Sequence, residues 1–155
     1  MVSPELLASF PFLSVLPENH LKTLAQVAEE YALEPGITLY EADSPAESLY
    51  LVTDGIIDLY LIQEDPQQPG EPKEYYLNEV CAGEVLGISA MIEPYRHTVT
   101  ARVRHSGSVI RIGSDALRAL GEGDAHVKYL LMFQVARAAA DRLQRTRIAM
   151  ASKCN

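Results

Sequence analysis

The sequence has no tryptophan, only two cysteines and few basic residues for its length. Its 155 residues hold 21 Asp and Glu against 13 Lys and Arg, a formal net charge of −8. Cys81 and Cys154 are too few for a disulfide framework and lack metal-ligand spacing. Because phosphate backbones and anionic lipids attract surplus positive charge, we expect no direct binding to nucleic acid or to a membrane surface.

Long uncharged hydrophobic segments are also missing. None approaches the roughly 20 residues that a membrane-spanning helix needs. The first 17 residues have no basic leader and contain Glu5 and three prolines, which is not typical of a signal peptide. With 48% apolar residues the chain can bury a core of its own, and we expect a cytoplasmic protein with a single domain over residues 1–155.

Hydrophobic patterning divides the chain into three zones. Residues 1–30 predict two short helices, because Ser3 and Pro4 form a helix-start pattern and Leu21, Leu24 and Ala25 share one helical face. Residues 31–113 predict many short strands separated by turn signals. Residues 114–155 predict a short helix and then a long one.

The central zone is typical of an all-β sandwich or barrel. Within it, Asp54-Gly55 lies between two apolar runs and predicts a tight hairpin, since both residues tolerate positive φ. The polar stretch Gln63–Pro72 predicts a loop.

The long C-terminal helix carries a stripe spaced alternately by four and three residues, as in a coiled coil. One alternative is that the first two turns of this stripe, from Tyr129, pack on the strands. At 1.5 Å per residue the helix nevertheless extends beyond a compact domain after Ala136. We therefore expect a homodimer through Phe133, Ala136, Ala140 and Leu143.

The order of elements and two long segments resemble a known family. The segments are PGITLYEADSPAESLYLVTDGIIDLYL at 35–61 and AGEVLGISAMIEPYRHTVTARV at 82–103. Together with the flanking helices they resemble the cyclic nucleotide-binding domain, the sensor module of the cyclic-AMP receptor protein type. The resemblance implies an eight-stranded antiparallel β jelly roll flanked by helices, and a dimer through the C-terminal helix.

The resemblance also implies a phosphate-binding cassette that would hold the ligand. Its residues here are Gly83, Leu86, Gly87, Ile88, Ser89, Ala90, Arg96, His97, Thr98 and Val99. From the long helix, Thr146 would cap the base of a nucleotide. The alternative for that segment is a solvated, Arg-rich helix end.

The cassette departs from the family pattern at two positions. Ile88 stands where a glutamate accepts the ribose 2′-hydroxyl proton, and His97 stands where an arginine pairs with the phosphate. Arg96 reaches the arginine position only with a one-residue shift. An unpaired hydroxyl costs about 1–3 kcal/mol and a lost guanidinium more, so we predict cyclic-AMP affinity lower by about three orders of magnitude.

Several functions stay open at this stage. The leading one is a non-catalytic sensor that signals through its long helix and binds a cyclic nucleotide or another small anion. His97, with an ordinary pKa near 6.5, would make such a contact pH-dependent. The alternatives are an interaction module with a vestigial pocket, and the sensor part of a longer DNA-binding regulator, since no helix-turn-helix follows within these residues. Net charge is −15 over 1–93 and +7 over 94–155, so an anion is expected near the last third.

Overall fold

The structure, a computed structural model, describes residues 1–153, so Cys154 lies outside the described residues. The helices are α1 (Pro4–Ala8), α2 (Glu18–Val27), α3 (Ser114–Gly123) and α4 (Ala125–Lys153), with a 3₁₀ helix, η1, at Ile88–Met91. The strands are β1 (Glu29–Leu33), β2 (Thr38–Tyr40), β3 (Ser48–Asp65), β4 (Gln68–Val80), β5 (Val85–Leu86) and β6 (Thr100–Gly113). Within 1–153 no helix is both long and apolar enough to cross a membrane.

The N-terminal helices form where the sequence predicts them. The Ser3 hydroxyl accepts a hydrogen bond from the Leu6 amide at 3.1 Å, and Pro4 occupies the first helical position. Leu21, Leu24 and Ala25 of α2 are buried. Strand β1 begins at Glu29, so the helical zone ends slightly earlier than expected.

Two long strands bend sharply at glycines without breaking. The hairpin predicted at Asp54-Gly55 is wrong, because both residues lie inside β3, opposite the segment His105–Ser108 of β6. Gly55 has a φ of +97°, and a Cβ on Gly107 would lie 2.1 Å from the carbonyl oxygen of Asp54. The two backbones therefore approach so closely at this point that a side chain at position 107 would not fit.

The polar stretch Gln63–Pro72 is not a loop. Its residues extend β3 and β4 as an antiparallel ladder in which Gln63 faces Lys73 and Glu64 faces Pro72. Only Pro66 and Gln67 separate the two strands. The prediction was wrong because this hairpin extends into solvent with both faces exposed, which removes the apolar alternation that marks a half-buried strand.

The sheet is antiparallel and rolled, with strand order β1-β6-β3-β4; β2 pairs with β6 and β5 pairs with β3. With each bent strand taken as two halves, the six strands correspond to the eight of the expected jelly roll. One apolar cluster fills the roll, including Val52, Ile57 and Val103. A second lies between the sheet and the helices, including Leu49, Ile110 and Leu131. This confirms the mainly β jelly roll with flanking helices.

Helix α4 packs on the molecule through one face only. Val127, Leu131 and Val135 are buried, and the Gln134 side chain donates to the carbonyl oxygen of Pro11 at 2.8 Å. The alternative that the stripe itself packs on the strands is wrong for its first turns, because Tyr129 is 61% exposed and Phe133 50% exposed.

Candidate functional site

A pocket of about 380 Å³ lies between the rolled sheet and α4. Its walls come from β2, β3, β4, the η1 segment, the chain before β6, and one face of α4. The lining residues are Tyr40, Leu59, Leu77, Asn78, Gly87, Ile88, Ser89, Ile92, Arg96, His97, Thr98, Val99, Ala139, Arg142, Leu143 and Thr146.

The η1 segment forms one wall and depends on a glycine. Gly87 adopts a left-handed backbone with φ +77°, and a Cβ there would lie 2.7 Å from the carbonyl oxygen of Ser48. This turn points Ile88 and Ser89 towards the pocket, whereas Ala90 is buried beneath. Arg118 of α3 holds the segment from behind by donating to the carbonyl oxygen of Ala90 at 2.9 Å. At Ile88 the wall therefore presents a branched alkyl side chain at the position where the family pattern has a carboxylate.

Arg96 is bound to a neighbouring acidic residue. Its Nε donates to a carboxylate oxygen of Asp43 at 3.0 Å, and its guanidinium also contacts the Asp43 carbonyl oxygen. The side chain is 47% exposed at the pocket rim. Arg96 thus forms a solvent-exposed ion pair with Asp43 at the pocket rim.

His97 is buried in the pocket wall as a neutral ring. It is 5% exposed and stacks on Tyr40, with the ring centroids 3.7 Å apart and the planes at 11°. Burial lowers the pKa of His97 to about 4 and raises the pKa of Tyr40 to about 12. Burial therefore favours the neutral imidazole at neutral pH, which argues against a charged contact from His97 to an anion.

Arg142 brings a cation into the pocket from α4. Its guanidinium donates to the carbonyl oxygen of Val85 at 2.7 Å. Burial lowers the pKa of this guanidinium, which still remains charged at neutral pH, and it lies close enough to Tyr40 to influence its titration. Arg142 is not among the site residues predicted from the sequence, although its spacing of four from Thr146 places both side chains on one helix face.

Thr146 lies in the pocket, but its hydroxyl is already engaged. It donates to the carbonyl oxygen of Arg142 at 3.0 Å and accepts from the side-chain amide nitrogen of Asn78, also at 3.0 Å. Among residues 1–153, Asn78 Oδ1 is buried and has no hydrogen-bond partner. The unpaired polar atom at this end of the pocket thus comes from β4.

The structure brings seven of the ten expected cassette residues to the pocket: Gly87, Ile88, Ser89, Arg96, His97, Thr98 and Val99. Leu86 and Ala90 lie in the core. Gly83 lines a neighbouring cavity of about 210 Å³, which Arg142 also lines. The pocket residues that sequence reasoning missed are Tyr40, Leu59, Leu77, Asn78, Ile92, Ala139 and Arg142.

The four residues expected at a dimer interface lie on the outer side of α4. Phe133, Ala136, Ala140 and Leu143 are all exposed, and Leu143 also reaches the pocket rim. In the part of the chain that the structure describes, no cluster of three metal-ligating side chains forms.

Comparison with known proteins agrees with the fold and with this site. The family model described as cyclic nucleotide-binding domain matches residues 31–124. Among curated proteins, none matches the sequence.

Solved structures with the same fold include close and distant neighbours. A structure described as a cyclic nucleotide-binding protein from Geobacter metallireducens GS-15 is 29% identical, with a TM-score of 0.79 over 92% of this chain and 99% of that chain. The N-terminal domain of a transcriptional regulator from Streptomyces coelicolor A3(2) is 26% identical, with a TM-score of 0.64 over 93% of this chain and 94% of that one. The sensor domain of the regulator DNR from Pseudomonas aeruginosa is 17% identical, with a TM-score of 0.71 over 90% of each chain, and shows the fold alone.

The matched region contains the rolled sheet and the η1 segment, and it covers more than half of the sequence. This match agrees with the expectation of a non-catalytic sensing module. The chain belongs to the cyclic nucleotide-binding domain family.

Proposed function

We propose that this chain is a non-catalytic, cytoplasmic sensing domain whose pocket holds a small anionic ligand against α4. The observation that carries the proposal is the guanidinium of Arg142, half-buried in a pocket of about 380 Å³ whose other lining is mostly apolar. Pockets of roughly 300–1,000 Å³ with a few convergent polar groups are typical of small-molecule sites. The whole chain, residues 1–155, acts as one such unit.

The lining favours a ligand less polar than cyclic AMP at the position of the ribose hydroxyl. Ile88, which the resemblance places at the position of the ribose-binding glutamate, supplies only an alkyl group, and the His97 ring in the same pocket is neutral. A ribose hydroxyl placed against the Ile88 side chain loses its water without gaining a partner. Cyclic AMP therefore binds weakly, with a dissociation constant on the order of a millimolar, and an analogue without that hydroxyl binds at least as well.

Signalling follows from the position of α4 as one wall of the pocket. Ala139, Arg142, Leu143 and Thr146 face the ligand from this helix. A ligand that binds one arrangement of the helix more tightly shifts the population towards it. Two copies of the chain associate through the exposed stripe of Phe133, Ala136, Ala140 and Leu143, so that a helix shift reaches the partner.

The experiment is a titration of the protein with cyclic AMP and 2′-deoxy cyclic AMP, followed by NMR chemical shifts at pH 7. In wild-type protein the shifts fall on pocket residues such as Ile88 and Val99. Arg142→Gln weakens binding at least tenfold, because a charge-assisted hydrogen bond to the anion is lost.

Arg147→Gln is the matched control, since Arg147 lies five residues further along the same helix, is exposed and does not line the pocket. It leaves the affinity unchanged. Equal losses in the two variants would mean that general positive charge, rather than the pocket, attracts the nucleotide. Shifts confined to other surfaces would overturn the proposal.

A further inference from the structure

A second cavity of about 210 Å³ lies next to the pocket. One face of α4 lines this cavity with Arg137, Arg142 and Arg145, and the turn before β5 lines it with Glu84 and Val85. Of all its lining residues, only Arg142 also lines the larger pocket. The cavity is therefore a separate candidate site that shares one side chain with the pocket.

Positive charge exceeds negative charge around this cavity. Its lining includes three guanidinium groups but only two carboxylates, those of Glu84 and Asp141. Both oxygens of Glu84 are already engaged, one with Arg145 Nη1 at 2.5 Å and the other with the backbone N–H of Cys81 at 3.0 Å. The local surplus is opposite in sign to the formal net charge of −8 that the whole chain carries.

Two of the three guanidinium groups have no carboxylate partner. Among residues 1–153, neither Arg137 nor Arg142 forms a salt bridge. Arg137 is exposed, whereas Arg142 is half-buried and donates to the carbonyl oxygen of Val85 at 2.7 Å. Because Val85 lines this cavity and not the larger pocket, the hydrogen-bonding end of Arg142 lies beside this cavity. A partly buried cation is normally paired, since its lost hydration is otherwise uncompensated.

The donors around the cavity suit an anion that has several oxygens. A guanidinium presents five N–H donors in one plane, so a single bond to a carbonyl leaves the others available. A carboxylate offers two acceptor oxygens in one plane, whereas a phosphate offers three or more in different directions. Three guanidinium groups that belong to three side chains are therefore better matched by a phosphate.

We propose that this cavity is a second anion site, which takes a phosphate group at Arg137, Arg142 and Arg145. The inference goes beyond the proposed function and does not depend on it, because the larger pocket contains neither Arg137 nor Arg145. It predicts that the protein distinguishes phosphate from a carboxylate at a place where no cyclic nucleotide is expected.

The test is an NMR titration of the full chain with inorganic phosphate, and separately with acetate, at pH 7.5 and constant ionic strength. We expect phosphate to move the backbone amide signals of Gly83 and Val85 in a saturable way, with a dissociation constant on the order of a millimolar. The signals of Ile88 and Val99, which line only the larger pocket, should not follow the same curve. Acetate should bind at least about fivefold more weakly than phosphate.

Variants of the two residues outside the larger pocket identify the site. Arg137→Gln should weaken phosphate binding about fivefold, and Arg145→Gln about tenfold. Arg137→Gln is the cleaner of the two, because Arg137 has no internal carboxylate that the substitution would release. Arg137→Lys should restore part of the affinity, since it keeps the charge and loses the planar fork. Arg147→Gln is the control: Arg147 is exposed on the same helix, lines neither cavity, and its loss should leave the affinity unchanged.

Thermal unfolding gives a second measurement. Phosphate at concentrations above its dissociation constant should raise the melting temperature of the wild-type protein more than that of Arg137→Gln. Shifts that grow without saturation, equal affinity for acetate, or equal losses in Arg137→Gln and Arg147→Gln would overturn the inference.

The same titrations separate this inference from the proposed function. Saturable shifts confined to Ile88 and Val99 would mean that phosphate occupies the larger pocket, which overturns the second site and leaves the proposed function standing. If cyclic AMP moves no pocket signals while phosphate still moves Gly83 and Val85, the proposed function fails and the second site stands.

Discussion

Replacement of His97 by phenylalanine tests whether the neutral, stacked imidazole stabilises the fold in a pH-dependent way. Phenylalanine keeps a flat ring against Tyr40 but cannot be protonated. The imidazole is 5% exposed, and its pKa is lowered from 6.5 to about 4. The gap corresponds to about 3 kcal/mol of free energy favouring the neutral form in the folded state.

The direction of the effect follows from proton counting. The unfolded chain binds the proton near pH 6.5, and the folded chain binds it only near pH 4. Between these values the unfolded state holds more protons, so stability falls as the pH falls. Above pH 7 the imidazole is neutral in both states and its titration contributes nothing.

Urea unfolding at pH 7.5 and pH 5.0 measures the difference. Most carboxylates stay ionised at both values, and the wild-type protein should lose about 2 kcal/mol more than His97→Phe between them. His105→Gln is the matched control, because His105 lies exposed on β6. It should behave as the wild type does. Equal losses in the wild type and His97→Phe would refute the reasoning, as would an NMR titration of His97 near pH 6.5.

Two further predictions concern the bend and the helix. Gly107→Ala should destabilise the fold by more than about 2 kcal/mol in urea unfolding, since the added Cβ would lie 2.1 Å from the Asp54 carbonyl oxygen. The control is Gly123→Ala, which has open space around it and should change the free energy of unfolding by only a few tenths of a kcal/mol. Phe133→Glu should convert the proposed dimer into a monomer, measured by light scattering at micromolar concentration, because it places charge in an apolar interface. Gln144→Glu should leave the dimer intact. A monomeric wild-type protein would contradict the proposed dimer.

The sequence predicts those parts of the fold that local patterns determine. The Ser3 cap, the buried face of α2 and the length of α4 all follow from residues within a few positions of each other. The bend at Gly55 was misread as a hairpin because its partner, Gly107, lies about 50 residues away. A glycine with positive φ suits a tight turn and a bent strand equally, and only the opposite strand distinguishes them.

The part of the site that is built from local motifs could also be predicted from the sequence. The η1 segment and the chain before β6 have local motifs, so Gly87, Ile88 and Val99 were found. Asn78 is 68 residues from Thr146, and Arg142 is 57 residues from Val85. The neutral state of His97 depends on its burial against Tyr40, which no local pattern shows.

The central claim is that the pocket binds an anionic ligand but does not recognise the ribose hydroxyl. The most direct test compares the binding of cyclic AMP and 2′-deoxy cyclic AMP to the wild-type protein and to Ile88→Glu. The account predicts that the wild type binds the deoxy compound at least as tightly as cyclic AMP. In Ile88→Glu, the new carboxylate accepts from the hydroxyl, so the order reverses and cyclic AMP binds about tenfold more tightly than its deoxy analogue. Wild-type protein that binds cyclic AMP at micromolar concentration, and prefers it over the deoxy analogue, would contradict the account.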